Sequence, residues 1–110
     1  MRIEYDKLIR DKIPEIIEEA GKNYGIEVMG EDDYRRALLE KLGEEADEAL
    51  HCDVQDLETE MADLLEVLDA IVEEFNLSYE EIVKIKDKRR NKRGGFRKRL
   101  KLLYTEPRQL

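Results

Sequence analysis

The segment from residue 38 to residue 68 reads LLEKLGEEADEALHCDVQDLETEMADLLEVL and predicts a pair of helices. Apolar residues recur in it every three or four positions, which is the period of an α-helix with one buried face. The first stripe is Leu38, Leu42, Glu45, Ala49 and Cys52, and the second is Leu57, Met61, Leu64 and Leu68, continuing to Ile71 and Phe75. The sequence DVQD at residues 53–56 separates them, so we expect two helices joined by a tight turn.

Four acidic residues lie on or beside these stripes. Glu45 interrupts the first stripe, and Glu48 follows three residues later on the same helix face. In the second helix, Glu60 and Asp63 are also three residues apart and lie beside the apolar stripe. A carboxylate that points toward a core is costly unless a positive charge meets it there. The pattern therefore indicates a divalent cation among the four carboxylates.

An antiparallel arrangement of the two helices would bring these acids to similar heights. From the rise of an α-helix, Glu48 and Glu60 should lie about 7 and about 10 Å from Asp53 along the axis, and Glu45 and Asp63 about 12 and about 15 Å. Oxygen ligands suit Mg²⁺, with Mn²⁺ as a substitute, and these ions commonly bridge to substrate phosphates. The alternative is a solvated surface, because 44% of the residues are charged. The placement on apolar stripes favours the metal site.

The remaining sequence predicts two further helices. Pro14 and Gly21 delimit a short helix over residues 13–20. Its inward residues are expected to be Ile13, Ile16, Ile17 and Ala20. Ser78, with Glu81 three residues later, predicts a capping box for a helix that Gly94 and Gly95 end.

The long helices should be capped by aspartates. Asp32 or Asp33 is the expected N-cap of the first, and Asp53 that of the second. Residues 24–28 and 100–102 show the alternation of short strands, and we expect them to pair. The predicted fold class is therefore all-α, a helical bundle with a small two-stranded β element.

The charge of the chain changes sign along its length. Residues 1–83 carry 8 Lys/Arg against 26 Asp/Glu, whereas residues 84–110 carry 12 against 2. The basic segment at residues 84–95 suits a phosphorylated ligand, and its two glycines allow close approach of the backbone to phosphate. The alternative is a solvated helix end that complements the helix dipole. The overall acidity, with a net charge of -8, argues against nucleic acid as a partner.

Length and composition suggest one domain over residues 1–110. Because we find neither an 18-residue apolar run nor a signal-peptide pattern, we expect a cytoplasmic protein with no membrane partner. Cys52, the one cysteine, cannot form an internal disulfide, and with His51 it offers too few ligands for structural zinc. Both residues are interpreted as structural.

Two acidic motifs connect the chain to a known family. Residues 44–48 read EEADE and residues 60–63 read EMAD, giving EExxE followed by ExxD. The pattern resembles the MazG-like superfamily of all-α nucleotide pyrophosphohydrolases. Residues 7–15, KLIRDKIPE, and residues 93–96, RGGF, are similar to the ends of its phosphoribosyl-ATP pyrophosphohydrolase-like subgroup. The resemblance covers nearly the whole chain.

The resemblance implies a bundle of the all-α NTP pyrophosphatase type that oligomerisation completes as a homodimer or homotetramer. It implies Mg²⁺ held by Glu45, Glu48, Glu60 and Asp63, with Glu44 in a water-mediated or base-like role, so that Glu44 and Glu45 are the expected catalytic residues. The implied reaction hydrolyses a nucleoside triphosphate between its α and β phosphorus atoms, as nucleotide-pool housekeeping. The expected contacts to the outer phosphates are Lys88, Arg89, Lys92 and Arg93.

Two other functions fit the same residues. The first is phosphoribosyl-ATP hydrolysis in histidine biosynthesis, which would use the same metal ligands and require recognition of a second ribose phosphate. The second is a non-enzymatic helical module that binds RNA or an acidic partner through residues 84–101. The position of Glu45 within an apolar stripe and the lack of a base-stacking aromatic array argue against the binding module.

Overall fold

The computed structural model describes residues 1–109, in which we find four α-helices, one 3₁₀ turn and no strand. The helices are α1 (Ile13–Glu19), α2 (Glu31–His51), α3 (Leu57–Glu74) and α4 (Tyr79–Arg93), and the 3₁₀ turn Val54–Asp56 connects α2 to α3. The chain forms two units, Met1–Leu77 and a second that begins at Ser78. The all-α class is confirmed.

The predicted β element is wrong. Neither residues 24–28 nor residues 100–102 form a strand, and both segments have no regular secondary structure. A strand requires a neighbour that pairs with its backbone N–H and C=O groups, and neither segment has one. The alternation over residues 24–28 buries no side chain, since Tyr24, Ile26 and Val28 are all exposed.

Helices α2 and α3 form an antiparallel hairpin. Arg35 Nε, in the second turn of α2, lies 3.3 Å from Glu74 Oε1, at the last residue of α3. At the other end of the hairpin, Glu45 of α2 meets the first turns of α3. The turn predicted at residues 53–56 is therefore confirmed, and it places the two acidic motifs opposite each other.

The expected caps of these helices are not the observed ones. Helix α2 begins at Glu31, before Asp32, and its N-cap is Gly30. Asp53 caps the 3₁₀ turn, so the N-cap of α3 is Asp56, and neither aspartate makes a capping side-chain hydrogen bond. Because the 3₁₀ turn Val54–Asp56 follows Asp53, α3 begins three residues later than a helix capped by Asp53 would.

The core of the first unit lies along the hairpin. Leu38, Val67 and Ile71 are buried, with Leu38 only 3% exposed. Residues packed against them are Leu8, Tyr34, Leu42, Ala70 and Phe75. Full burial of one such aliphatic side chain stabilises a fold by about 1.5–3 kcal/mol. A core of this size leaves much of the apolar surface of α2 and α3 exposed.

The buried face of α3 is rotated relative to the predicted stripe. Val67 is buried, whereas its neighbour Leu68 is exposed. Leu57 and Met61, at the start of the predicted stripe, are exposed as well. The inward face instead carries Glu60 and Asp63, Leu64, Val67, Ala70, Ile71 and Glu74. This rotation turns both acids toward α2.

The short helix α1 agrees with its prediction apart from two side chains and its last residue. Pro14 lies in its first turn, where its missing N–H leaves no hydrogen bond unmade. Ile13 and Ile17 are half-buried, but Ile16 is exposed, so its predicted inward orientation is wrong. The helix ends at Glu19, so Ala20 is its C-cap; Ala20 is exposed, and its predicted inward orientation is wrong as well. Gly21 follows with φ of 76°.

In the second unit, α4 begins after Ser78 and ends before Gly94, as predicted, with the Ser78 half of the capping box formed. Ser78 Oγ accepts a hydrogen bond from the backbone N–H of Glu81 at 3.1 Å. Gly94 ends the helix with φ of 83°, in a backbone region that residues with a Cβ rarely adopt. Among residues 1–109, no helix combines the length and apolar character that crossing a bilayer requires.

Candidate metal centre

Three carboxylates converge at the turn end of the α2–α3 hairpin. Glu45, Glu60 and Asp63 each offer an oxygen atom within 4.8 Å of the other two. Glu45 comes from the C-terminal half of α2, and the other two come from successive turns of α3. We call these three residues the acidic cluster. The antiparallel fold brings them together because α2 ends at the turn from which α3 begins.

Glu45 is the most buried member of the acidic cluster. The residue is 7% exposed, and its Oε1 atom lies 3.6 Å from Lys41 Nζ. Its Oε2 atom is buried and has no hydrogen-bond partner among residues 1–109. Burial raises the pKa of the Glu45 carboxyl, Glu48 and Asp63 raise it further, and Lys41 opposes the shift. One oxygen of Glu45 is thus compensated and the other is not.

Glu60 is the second member of the acidic cluster with a buried, unpaired carboxylate oxygen. Its Oε2 atom is buried and lacks a hydrogen-bond partner in the part of the chain that the structure describes. Burial raises the pKa of Glu60, and the charges of Glu48, Asp63 and Glu45 act in the same direction. Unpaired buried carboxylate oxygens are costly. Two such oxygens, on residues of one group of carboxylates within 4.8 Å, are the feature of the described residues that most calls for a bound cation.

Asp63 is the member that already has a positive partner. Arg10 Nη2 donates to Asp63 Oδ1 at 2.8 Å, across 53 positions of sequence. Arg10 belongs to the segment before α1, so this segment approaches the acidic cluster from outside the hairpin. The cluster therefore has a cationic side chain at each of two members, Lys41 at Glu45 and Arg10 at Asp63.

Glu48 and Glu44 lie beside the acidic cluster. Glu48 is exposed and falls outside the group of three, but its charge raises the pKa of both Glu45 and Glu60. Glu44 is exposed, and its Oε2 atom lies 3.4 Å from Lys41 Nζ. Three of the four predicted ligands thus converge, and the fourth lies near enough to act electrostatically on two of them.

The predicted phosphate-binding residues belong to the second unit. Lys88 and Lys92 are four residues apart on α4, as are Arg89 and Arg93, which gives two adjacent rows of cations. All four are exposed. Lys84 pairs with Glu81 and Lys86 with Asp87, whereas no acidic side chain in the described part of that unit pairs with any of the four. Their charges are therefore available to an anion within this unit.

Cys52 and His51 have local partners outside the acidic cluster. Cys52 Sγ donates to Ala49 O at 3.4 Å, and His51 Nδ1 lies 2.9 Å from Asp47 O. Burial raises the pKa of the Cys52 thiol, as do the charges of Glu60 and Asp56, so the thiolate needed for metal binding is disfavoured.

Sequence reasoning missed the two cations at the acidic cluster. Lys41 precedes Glu45 by four residues, so the helical i,i+4 rule was the signal that could have found it. Arg10 had no such signal, because its contact with Asp63 depends on where the N-terminal segment packs. Oxygen ligands alone, two of them unpaired, suit a hard cation such as Mg²⁺ or Mn²⁺.

Comparison with known proteins gives no match for this chain: no family model, no curated protein and no solved structure is similar to it. The resemblance of its acidic motifs to the MazG-like superfamily therefore rests on those residues and their spacing.

Proposed function

We propose that this chain is a nucleoside triphosphate pyrophosphohydrolase that uses Mg²⁺ and yields a nucleoside monophosphate and pyrophosphate. One observation carries the proposal: Glu45 and Glu60 each have a buried oxygen with no hydrogen-bond partner among the described residues, and both belong with Asp63 to an oxygen-only group within 4.8 Å. The EExxE and ExxD motifs supply the reaction class through their resemblance to nucleotide pyrophosphohydrolases.

The metal ligands in this proposal are Glu45, Glu60 and Asp63, joined by Glu48. The donor set fits the ion, because Mg²⁺ prefers carboxylate oxygens and binds through few protein ligands, keeping positions for water and phosphate. When bound, Mg²⁺ supplies an activated water and neutralises charge on the triphosphate. The carboxylates of the cluster repel one another in its absence, so the site favours the ion over solvent.

Glu44 is the proposed base for the attacking water. It is exposed beside the acidic cluster, and Lys41 Nζ lies 3.4 Å from Glu44 and 3.6 Å from Glu45. Lys41 therefore contacts the proposed base Glu44 and the proposed metal ligand Glu45 together. In this role Glu44 would accept a proton from the water that attacks the α-phosphorus, and Glu45 would be one of the carboxylates that hold the ion.

The proposed contacts to the β- and γ-phosphates are Lys88, Arg89, Lys92 and Arg93. Their support is charge and availability: the four form two rows on α4 and have no acidic partner in the described part of their unit. Guanidinium groups bind phosphate oxygens in pairs, and ammonium groups add charge. Such contacts would stabilise pyrophosphate as the leaving group.

Self-association is part of the proposal, as a homodimer or homotetramer. Helix α2 exposes Leu39, Gly43, Ala46 and Leu50, spaced four, three and four residues apart. Helix α3 exposes Leu57, Met61, Leu65 and Leu68. Two such stripes on adjacent helices suit packing against the same stripes of a second hairpin. We expect a second copy to cover them.

The test is product analysis by anion exchange. Pure protein is incubated with Mg²⁺, and in parallel with Mn²⁺, and with canonical, deoxy and damaged nucleoside triphosphates and phosphoribosyl-ATP. Equal amounts of monophosphate and pyrophosphate are expected, and they should disappear in Glu45→Gln and Glu60→Gln. The matched controls, Glu40→Gln on α2 and Glu66→Gln on α3, change exposed glutamates outside the acidic cluster. Full activity in both cluster variants would rule out the proposed metal site.

A further inference from the structure

Arg10 brings a guanidinium group to the acidic cluster from outside the helical hairpin. Its Nη2 atom donates to Asp63 Oδ1 at 2.8 Å. An oxygen of that same Asp63 carboxylate lies within 4.8 Å of Glu45 and Glu60 oxygens. Any ion held by the acidic cluster, and any anion bridging to that ion, would therefore be within reach of the Arg10 side chain.

The backbone on both sides of Arg10 is fixed. Two residues earlier, Leu8 is half-buried and packs against the core of Leu38, Val67 and Ile71. Three residues later, the N–H of Ile13 donates to Arg10 O at 3.1 Å, at the start of α1. The position of Arg10 over Asp63 thus follows from a packed anchor and a helix start. It is not the chance contact of a loose terminus.

The Arg10–Asp63 pair is well suited to exchange of partners. The Arg10 side chain is 60% exposed, and ion pairs between solvent-exposed groups contribute little stability. A divalent cation at the acidic cluster competes for the Asp63 carboxylate. The planar guanidinium has five N–H donors, of which Asp63 takes one, and its shape matches two oxygens of a phosphate.

We propose that Arg10 is a phosphate-binding residue: it holds Asp63 in the free protein and transfers to a phosphate oxygen of the triphosphate when the cation occupies the acidic cluster. The inference rests on the proposed function for the identity of its ligand. It assigns Arg10 two opposite effects, since the same side chain weakens binding of the bare cation and strengthens binding of the cation with triphosphate. A purely structural residue would not have this combination.

The experiment compares the wild type with Arg10→Gln, Arg10→Lys and the control Arg36→Gln, which changes an exposed arginine of α2. Mn²⁺ affinity is measured by electron paramagnetic resonance without nucleotide, and KM and kcat are measured with the preferred triphosphate. Arg10→Gln should bind Mn²⁺ about two-fold or more tighter, because its competitor is gone. It should also raise KM about ten-fold or more, with a smaller change in kcat. Arg10→Lys should retain the competition and lose part of the phosphate affinity.

Two outcomes would overturn the inference: an unchanged KM in Arg10→Gln, or unchanged Mn²⁺ affinity in a variant whose circular dichroism shows native helix content. If the wild type hydrolyses no triphosphate, the proposed function has failed separately. Binding of inorganic triphosphate with Mn²⁺ then decides the role of Arg10. Weaker binding by Arg10→Gln than by the wild type and Arg36→Gln supports the inference, and equal binding overturns it.

Discussion

Lys41 Nζ lies 3.6 Å from Glu45 Oε1, whereas Glu45 Oε2, on the same carboxylate, has no hydrogen-bond partner among the residues described. The lysine side chain is itself mostly buried, so this pair is better shielded from solvent than the other ion pairs of α2. The half-compensated carboxylate explains how a charged residue is tolerated within the apolar face of α2. Oε2 is the oxygen of Glu45 that no described group pairs with.

Removing Lys41 should therefore destabilise the metal-free protein. In Lys41→Met the Glu45 charge loses its partner, and we expect the free energy of unfolding at pH 7 to fall by about 1–3 kcal/mol. Urea denaturation in the presence of EDTA measures the loss, with Lys22→Met, an exposed lysine before α2, as the control. Saturating Mn²⁺ should reduce the difference from the wild type. A variant as stable as the Lys22 control would mean that Glu45 does not depend on Lys41.

The stability of the metal-free protein should depend on pH through Glu45 and Glu60. Both carboxyls have pKa values raised above their ordinary 4.5 by burial first and neighbouring acids second. The folded state thus holds these protons more tightly than the unfolded chain does. Their contribution to stability is fully present below the unfolded pKa, near 4.5, and is lost as the pH rises through the raised values.

The variant Glu45→Gln/Glu60→Gln lacks this titration and serves as the reference. The free energy of unfolding of the wild type minus that of the variant should fall as the pH rises from 4.5 toward neutrality. The same urea titrations, run in EDTA at several pH values, give this difference and cancel the titration of other groups. A difference that is flat over this range would show that the two carboxyls do not titrate abnormally.

Binding of a cation should offset the repulsion among the carboxylates of the acidic cluster at neutral pH. Mn²⁺ at about 100 times its Kd stabilises the folded state by about 2.7 kcal/mol, which corresponds to several degrees in Tm for a chain of this length. We expect this rise in the wild type and in Glu40→Gln, and its loss in Glu45→Gln and Glu60→Gln. Lowering the pH should weaken the effect, because protonated carboxyls are poor ligands. Equal rises in all four proteins would place the binding elsewhere.

The sequence predicted the acidic cluster better than the core around it. The helical period of the two stripes and the turn between them were enough to predict that Glu45 lies opposite Glu60 and Asp63. Both signals are local in the sequence, and together they define a helical hairpin. The choice between Val67 and Leu68 as the buried residue was not local. Val67 and Leu68 both fit an apolar stripe with the helical period, and only packing against Leu38 determines that Val67 is the buried one. The strand at residues 24–28 failed for a related reason, since alternation alone supplies no partner.

The exposed leucines of α3 should control self-association. Leu65 is 52% exposed between Met61 and Leu68 on the outer stripe. Leu65→Lys should therefore convert an oligomer to monomer without loss of helix content, as measured by light scattering after size exclusion and by circular dichroism. The control Thr59→Lys adds the same charge on an exposed position of the same helix. A wild type that is monomeric at high concentration, or an unchanged mass in Leu65→Lys, would exclude this stripe as the interface.

The cations of α4 should act on substrate binding alone. Lys88, Arg89, Lys92 and Arg93 lie in the second unit and have no acidic partner in its described part, whereas Lys84 and Lys86 do. Replacing Arg89 and Arg93 with Gln should raise KM for the triphosphate about ten-fold or more, because each charged hydrogen bond to phosphate is strong. Mn²⁺ affinity without nucleotide should stay at the wild-type value. The control Lys84→Gln/Lys86→Gln removes equal charge from the same helix, so an equal rise in KM there would indicate general electrostatic attraction in place of specific phosphate contacts.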